Sequence, residues 1–136
     1  MTRAVIYGVL AGFVTLVLGI MVLDSISVAE TAVRDNTPSW KLVKEHAITR
    51  SLYVAGWALA CAVGGSVAAR RIPGRWLEAA IAVAAILLLL GPLPEAVFQP
   101  RNVGWQQIAY FIVAFPAVLG AAWLSARRRG AVTAAP

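Results

Sequence analysis

Charge is what this sequence has least of. Asp, Glu, Lys and Arg make up 13% of its 136 residues, while 60% are apolar. Soluble domains carry roughly a quarter charged residues, so too few polar side chains remain here to cover a water-facing globule. Histidine and cysteine are nearly absent, with one of each, His46 and Cys61. A lone cysteine excludes an intramolecular disulfide and reveals nothing about redox compartment; it reads as a small packing residue. One histidine beside Glu45, without a cysteine or second histidine, falls short of an ordinary metal-ligand set. It reads as solvated or facing headgroups. There is no Gly-rich phosphate loop, nucleophile elbow or helical His pair, and no serine–histidine–acid arrangement. The expectation is therefore no enzyme, with no catalytic, cofactor-binding or metal-binding residue and no cofactor.

What the sequence does have is long stretches without charge. Arg3 and Asp24 bracket residues 4–23, Arg50 and Arg70 bracket 51–69, Glu78 and Glu95 bracket 79–94, and Arg101 and Arg127 bracket 102–126. A hydrocarbon core about 30 Å thick takes roughly 20 helical residues to cross. Only helices or closed barrels satisfy their own backbone in lipid, and strand-like alternation is missing. The reading is an all-α, membrane-spanning four-helix bundle, one transmembrane domain over 1–136. Its spans are approximately 4–25, 51–69, 76–97 and 104–126, and the third starts at Trp76 and runs past Pro94. The N-terminal run is longer than the roughly 7–15 apolar residues of a signal peptide, so the first helix is expected to stay.

Four spans place the N-terminus, the 70–75 turn and the C-terminus on one side. That side holds Arg3, Arg70, Arg71, Arg75, Arg127, Arg128 and Arg129 against the single acid Glu78. The other holds five cations against five acids, so the formal net charge of +6 belongs to one face. Short basic segments at helix ends favour the cytoplasm, which puts both termini on the cytoplasmic side of a cell's inner (plasma) membrane. Arg70, Arg71, Arg75, Arg127, Arg128 and Arg129 are assigned to anionic lipid headgroups, which attract cations by about 1 kcal/mol each near the surface. Nucleic-acid binding is not expected. Aromatic rings favour the headgroup level, which suits Tyr7, Trp76 and Trp123 inside and Trp40, Tyr53, Phe98 and Trp105 outside. Trp57 lies deeper, as a packing residue or lipid contact.

Small residues recur every four positions: Gly56, Ala60, Gly64 and Ala68, with Cys61, Gly65 and Ala69 beside them. Helix association in lipid depends on close backbone approach rather than on hydrophobicity. The second helix is therefore the expected packing centre, meeting Gly8, Gly12, Thr15 and Gly19 of the first and Ala117, Ala121 and Ser125 of the fourth. The third, with "ILLLL" at 86–90, is expected to face lipid more than the others. Surplus small faces leave room for a homo-oligomer or a larger membrane complex.

"LGPLPEAVFQP" holds Pro92, Pro94 and Pro100; sixteen residues from Trp76, or about 24 Å, Pro92 marks a kink or fraying near the outer interface. Pro116 should kink the fourth span. No charge lies deep in a span, and Asp24 and Glu95 at outer helix ends are the candidate ionisable residues, with Arg50 and Arg101 as partners. Glu78 is read as pairing with Arg75, three residues away. "NTPSWKLVKEHAITR" starts a short helix at Thr37, with Pro38 in the tolerated first-turn position, lying on the outer interface.

"GWALACAVGGSVAARRIPGRWLEAAI", 56–81, resembles the second-to-third-helix hairpin of small uncharacterised bacterial four-helix membrane proteins, with Gly-Gly-x-x-Ala-x-Arg closing the second helix. "FPAVLGAAWLSARR", 115–128, is similar to their fourth helix and basic tail. The resemblance covers roughly the last sixty percent of the chain and implies no activity. Two functions follow: a non-catalytic accessory or assembly subunit packing through small-residue faces, or a small oligomeric transporter or channel. A cation transporter needs a carboxylate in the membrane, which only a deeper Asp24 supplies.

Overall fold

The computed structural model describes residues 1–35, 47–98 and 104–133. Five helices fill them: α1 Thr2–Asp35, α2 Ala47–Arg71, α3 Trp76–Leu90, α4 Pro92–Phe98 and α5 Trp105–Thr133, with a 3-10 turn at Pro73–Arg75. Four segments are long and apolar enough to cross a bilayer: Thr2–Ile26, Arg50–Arg71, Pro73–Leu90 and Trp105–Arg129. The chain is a multi-pass, all-α membrane protein.

α2 and α3 form the middle of the bundle. Each packs against α1 and α5, which do not meet one another among the described residues. Small residues let these helices come close. A Cβ added at Gly8 would stand 2.7 Å from the Gly64 carbonyl oxygen, and one at Gly64 would stand 2.9 Å from the Gly8 carbonyl. One at Gly12 would stand 2.9 Å from the carbonyl of Ala60, and one at Gly65 would strike the backbone of Val118. Ala60, Ala68, Ala69 and Cys61 are fully buried along the same helix. Ser66 adds an interhelical bond, its hydroxyl donating to the Ala121 carbonyl at 3.4 Å. Such bonds and close approaches are what holds helices together in lipid.

Three expectations need correction. The third span was expected to be the most lipid-facing, yet α3 buries Ala79, Ala80, Val83, Ala84 and Leu87 against its neighbours. Its exposed bulky residues are Leu77, Ile81, Leu89 and Leu90, with Leu77 and Leu90 at its two ends, while Leu87 and Leu88 are buried. The helix with most of its surface outward is α1, whose Leu10, Phe13, Val14, Leu18 and Met21 are all exposed. Second, the apolar span ends at Ile26, close to the residue 25 read from sequence, but the helix α1 does not end with it. Its 34 residues reach about 50 Å at 1.5 Å per residue, well beyond the hydrocarbon. Asp24 ends the apolar run, but a charge does not end a helix, and no Gly or Pro follows until Pro38.

Third, the third span is not one helix. Chain direction breaks at Gly91, whose N–H donates to the Leu87 carbonyl at 2.9 Å, and α4 restarts at Pro92. The break places Pro92 and Pro94 in the first turn of α4, where N–H groups have no helical partner anyway. Pro116 lies inside α5, which stays helical through it. Arg75 and Glu78 form an exposed ion pair, with Arg75 Nε 3.1 Å from Glu78 Oε1. The interfacial helix read from Thr37, together with Trp40 and His46, lies outside the described residues.

Candidate functional site: a cavity and a basic cleft at opposite ends of the bundle

In the half of the bundle away from the N-terminus and the Pro73–Arg75 turn, the helices separate around a half-open cavity of about 170 Å³. α1 lines it with Leu16, Gly19, Ile20 and Leu23, and α2 with Tyr53, Gly56 and Trp57. The α3–α4 break contributes Gly91 and Pro92, and α5 contributes Tyr110. Its walls are mostly apolar, with three aromatic rings among them. A cavity of about 150 Å³ lined by aliphatic and aromatic groups stays dry and admits benzene, so this one has room for a single ring or a short chain segment.

Two glycines that the four-residue spacing assigns to helix packing belong to this space instead. A Cβ at Gly19 would meet nothing within 4 Å, and one at Gly56 would meet only Leu23 Cδ1, at 3.8 Å. Their missing side chains create the cavity rather than a close crossing. Gly91 does the opposite: a Cβ there would lie 2.6 Å from Trp57 Cη2. The break lets the chain pass directly under the indole.

Trp57 is buried and fixed on two sides. Its Nε1 donates to the Tyr110 carbonyl at 3.2 Å, and the two rings lie 5.8 Å apart and tilted by 60°. At the cavity rim, the Tyr53 hydroxyl donates to Asp24 Oδ1. Tyr110 is held from its other end, where Gln106 Nε2 donates to its hydroxyl oxygen. The polar tips of both tyrosines are thus turned toward the interface while their rings face the cavity.

Asp24 was singled out from sequence with Arg50 as a possible partner; the structure shows the Tyr53 hydroxyl bonded to its carboxylate. That bond spans 29 positions between two helices, so no local spacing announces it. Glu95 lies in α4, and its side chain is outside those described. Trp57, Tyr110 and Gln106 were missed as site residues. Only the four-residue step from Gln106 to Tyr110 was visible in advance, as a pair on one helical face.

Replacing Tyr53 by Phe should lower stability in detergent by about 1.5 kcal/mol, the order for a bond to an acidic side chain. Asp24→Asn should cost less, because its amide keeps an oxygen that accepts the Tyr53 proton. Thermal unfolding of the two variants beside the parent protein checks this ranking.

At the opposite end of the bundle a wider cleft, about 620 Å³, is lined by Arg3 of α1, Arg70 and Arg71 of α2 and Arg129 of α5. Ala4 and Val67 form apolar walls beneath them, and Ile72, past the end of α2, completes the lining with Met1. Arg71 is laid over the Tyr7 ring, its guanidinium carbon 3.9 Å from the ring centre, a cation–π contact. Arg127 points elsewhere, over Trp123 at 5.2 Å, and Arg75 is engaged with Glu78. Of the six arginines assigned to headgroups, the structure gathers Arg70, Arg71 and Arg129 into one cleft and adds Arg3.

Compared with protein families, with curated proteins and with solved structures, the chain matches none.

Proposed function

We propose that this protein is a non-catalytic membrane protein that works by binding, holding a compact lipophilic molecule in the outer half of its bundle. One observation carries the reading: the cavity between α1, α2 and α5, walled by Tyr53, Trp57 and Tyr110 and kept open by Gly19 and Gly56. Apolar concave sites with a few convergent polar groups are where small molecules bind. The Asp24–Tyr53 pair at the rim supplies an acceptor that favours a ligand carrying one donor group. Release of such a ligand toward either side would make the protein a small transporter, the second of the two functions read from sequence.

Phenol, one ring with one hydroxyl, is a suitable probe. Titrated into the purified protein in detergent, it should shift the Trp57 indole N–H resonance saturably. Gly19→Leu, which fills open space, should remove the shift without lowering thermal stability. A non-saturating shift, or the same shift in Gly19→Leu, would overturn the proposal.

The accessory-subunit reading is favoured by a different feature. Gly120 is exposed on α5, a Cβ there would meet nothing within 4 Å, and Pro116 is exposed one turn earlier. A further helix, from a second copy or a larger complex, could approach closely there. The distribution of arginines supports termini on the cytoplasmic side of an inner membrane, with anionic lipid gathered around them.

A further inference from the structure

We propose that the cavity opens sideways into the hydrocarbon, through a gap between α1 and the α3–α4 break, and that its ligand is an amphiphile: a ring held inside and a hydrocarbon chain left in the lipid. This rests on the binding role proposed for the cavity and names the class of molecule it would take.

The gap follows from where α3 ends. Its 15 residues reach about 22 Å at 1.5 Å per residue, short of the roughly 30 Å of hydrocarbon. Past Gly91 the chain turns: α4 packs on α3 and α5 and, among the described residues, touches neither α1 nor α2. α1 meanwhile stays apolar as far as Ile26. The place beside α1 that a longer α3 would fill is therefore empty of helix, and Gly91 and Pro92 line the cavity there.

Side chains mark the mouth. Among the described residues that line the cavity, Ile20 alone is exposed, at 37% of its surface; Trp57 and Pro92 are buried and the rest are half-buried. Ile20 stands four residues before Asp24, the first charge after Arg3. The mouth thus lies about one helical turn inside the apolar span, where it meets acyl chains rather than water. Asp24 and Tyr53, bonded to each other at the rim, receive the polar group of the ring and leave its opposite side toward the mouth. The cavity, about 170 Å³, has room for a ring but not for a long chain as well. A chain-bearing ligand fits only if its chain leaves through the gap.

Phenol and 4-octylphenol test the assignment, titrated into the full chain in phosphatidylcholine nanodiscs and read by the Trp57 indole N–H resonance. Concentrations are expressed as mole fractions in the lipid. A chain that stays in lipid, free or bound, favours neither state, so the two probes should bind within about threefold of each other. Each methylene forced from hydrocarbon into water would cost about fourfold in affinity, so a mouth opening to water would weaken octylphenol roughly ten-thousandfold. A closed wall would exclude it. Ile20→Trp puts a ring across the mouth and should weaken octylphenol about tenfold more than phenol, a clash aimed at the chain. Leu18→Trp, exposed on the same helix but outside the cavity lining, should change both by less than about twofold. Octylphenol binding about tenfold or more weaker than phenol, or equal effects of the two tryptophan variants, would overturn the sideways opening and leave a site for small rings. Saturation by neither probe would overturn the binding role and this inference together.

Discussion

Gly65→Leu should prevent the bundle from closing, with a loss of about 3 kcal/mol or more. A Cβ at this position meets the Val118 backbone and lies 2.9 Å from Val118 Cγ1. Backbone atoms cannot turn aside as a flexible side chain can, so α2 and α5 must separate. Overpacking in a filled core costs about 1–3 kcal/mol even where side chains can adjust, and here they cannot. Separation would also stretch the bond from Ser66 to the Ala121 carbonyl and expose Val118, which is fully buried. Gly120→Leu, on the open side of α5, is the matched control and should change stability little. Unfolding in mixed micelles by increasing dodecyl sulfate, followed by circular dichroism, reads both variants. Equal midpoints would mean that close approach at Gly65 does not hold the helices together.

Trp57→Ala is the second large effect, with a cost of about 3–5 kcal/mol, the order for deleting a buried tryptophan. Three contacts vanish together: the bond to the Tyr110 carbonyl, the tilted ring pair, and the packing against Gly91. The space released joins the cavity already present, and the surrounding helices cannot collapse into it without moving the α3–α4 break. Gly91→Ala offers an internal check. In the parent protein its methyl would strike the indole at 2.6 Å and destabilise. Once the indole is gone, that clash is gone too. The double variant should therefore be more stable than the two single losses added together, the coupling expected of residues in contact. Additive losses would show that Trp57 and Gly91 do not touch.

These two positions also mark how far sequence could be read. Gly65 sits in a four-residue repeat, and that spacing alone places it on a face with Cys61 and Ala69. The same spacing does not tell Gly64, which a neighbouring backbone touches, from Gly56, which has open space beside it. The difference depends on where α1 and α5 lie, and tertiary placement is not written in one helix. Spans were legible because the cost of charge in hydrocarbon forces charged residues to their ends. Helix ends were less so: α1 runs eleven residues past Asp24, since nothing in "SISVAETAVRD" breaks a helix. The bulk of "ILLLL" suggested a lipid-facing third helix, but Leu87 and Leu88 are buried with Val83 and Ala84, while Leu89 and Leu90, at the helix end, are exposed. The cavity was invisible because its wall is assembled from four helices, with Tyr53 and Tyr110 far apart in the chain.

The central claim is that the chain threads the bilayer four times, so that its ends and the Pro73–Arg75 turn share one side. Single cysteines at Thr2, Gly74, Ser25 and Val97, all exposed positions, test it in sealed vesicles with a membrane-impermeant maleimide. Cys61 is buried and need not be removed. The account predicts that positions 2 and 74 react from one face and positions 25 and 97 from the other. Reaction of positions 74 and 97 from the same face would contradict it.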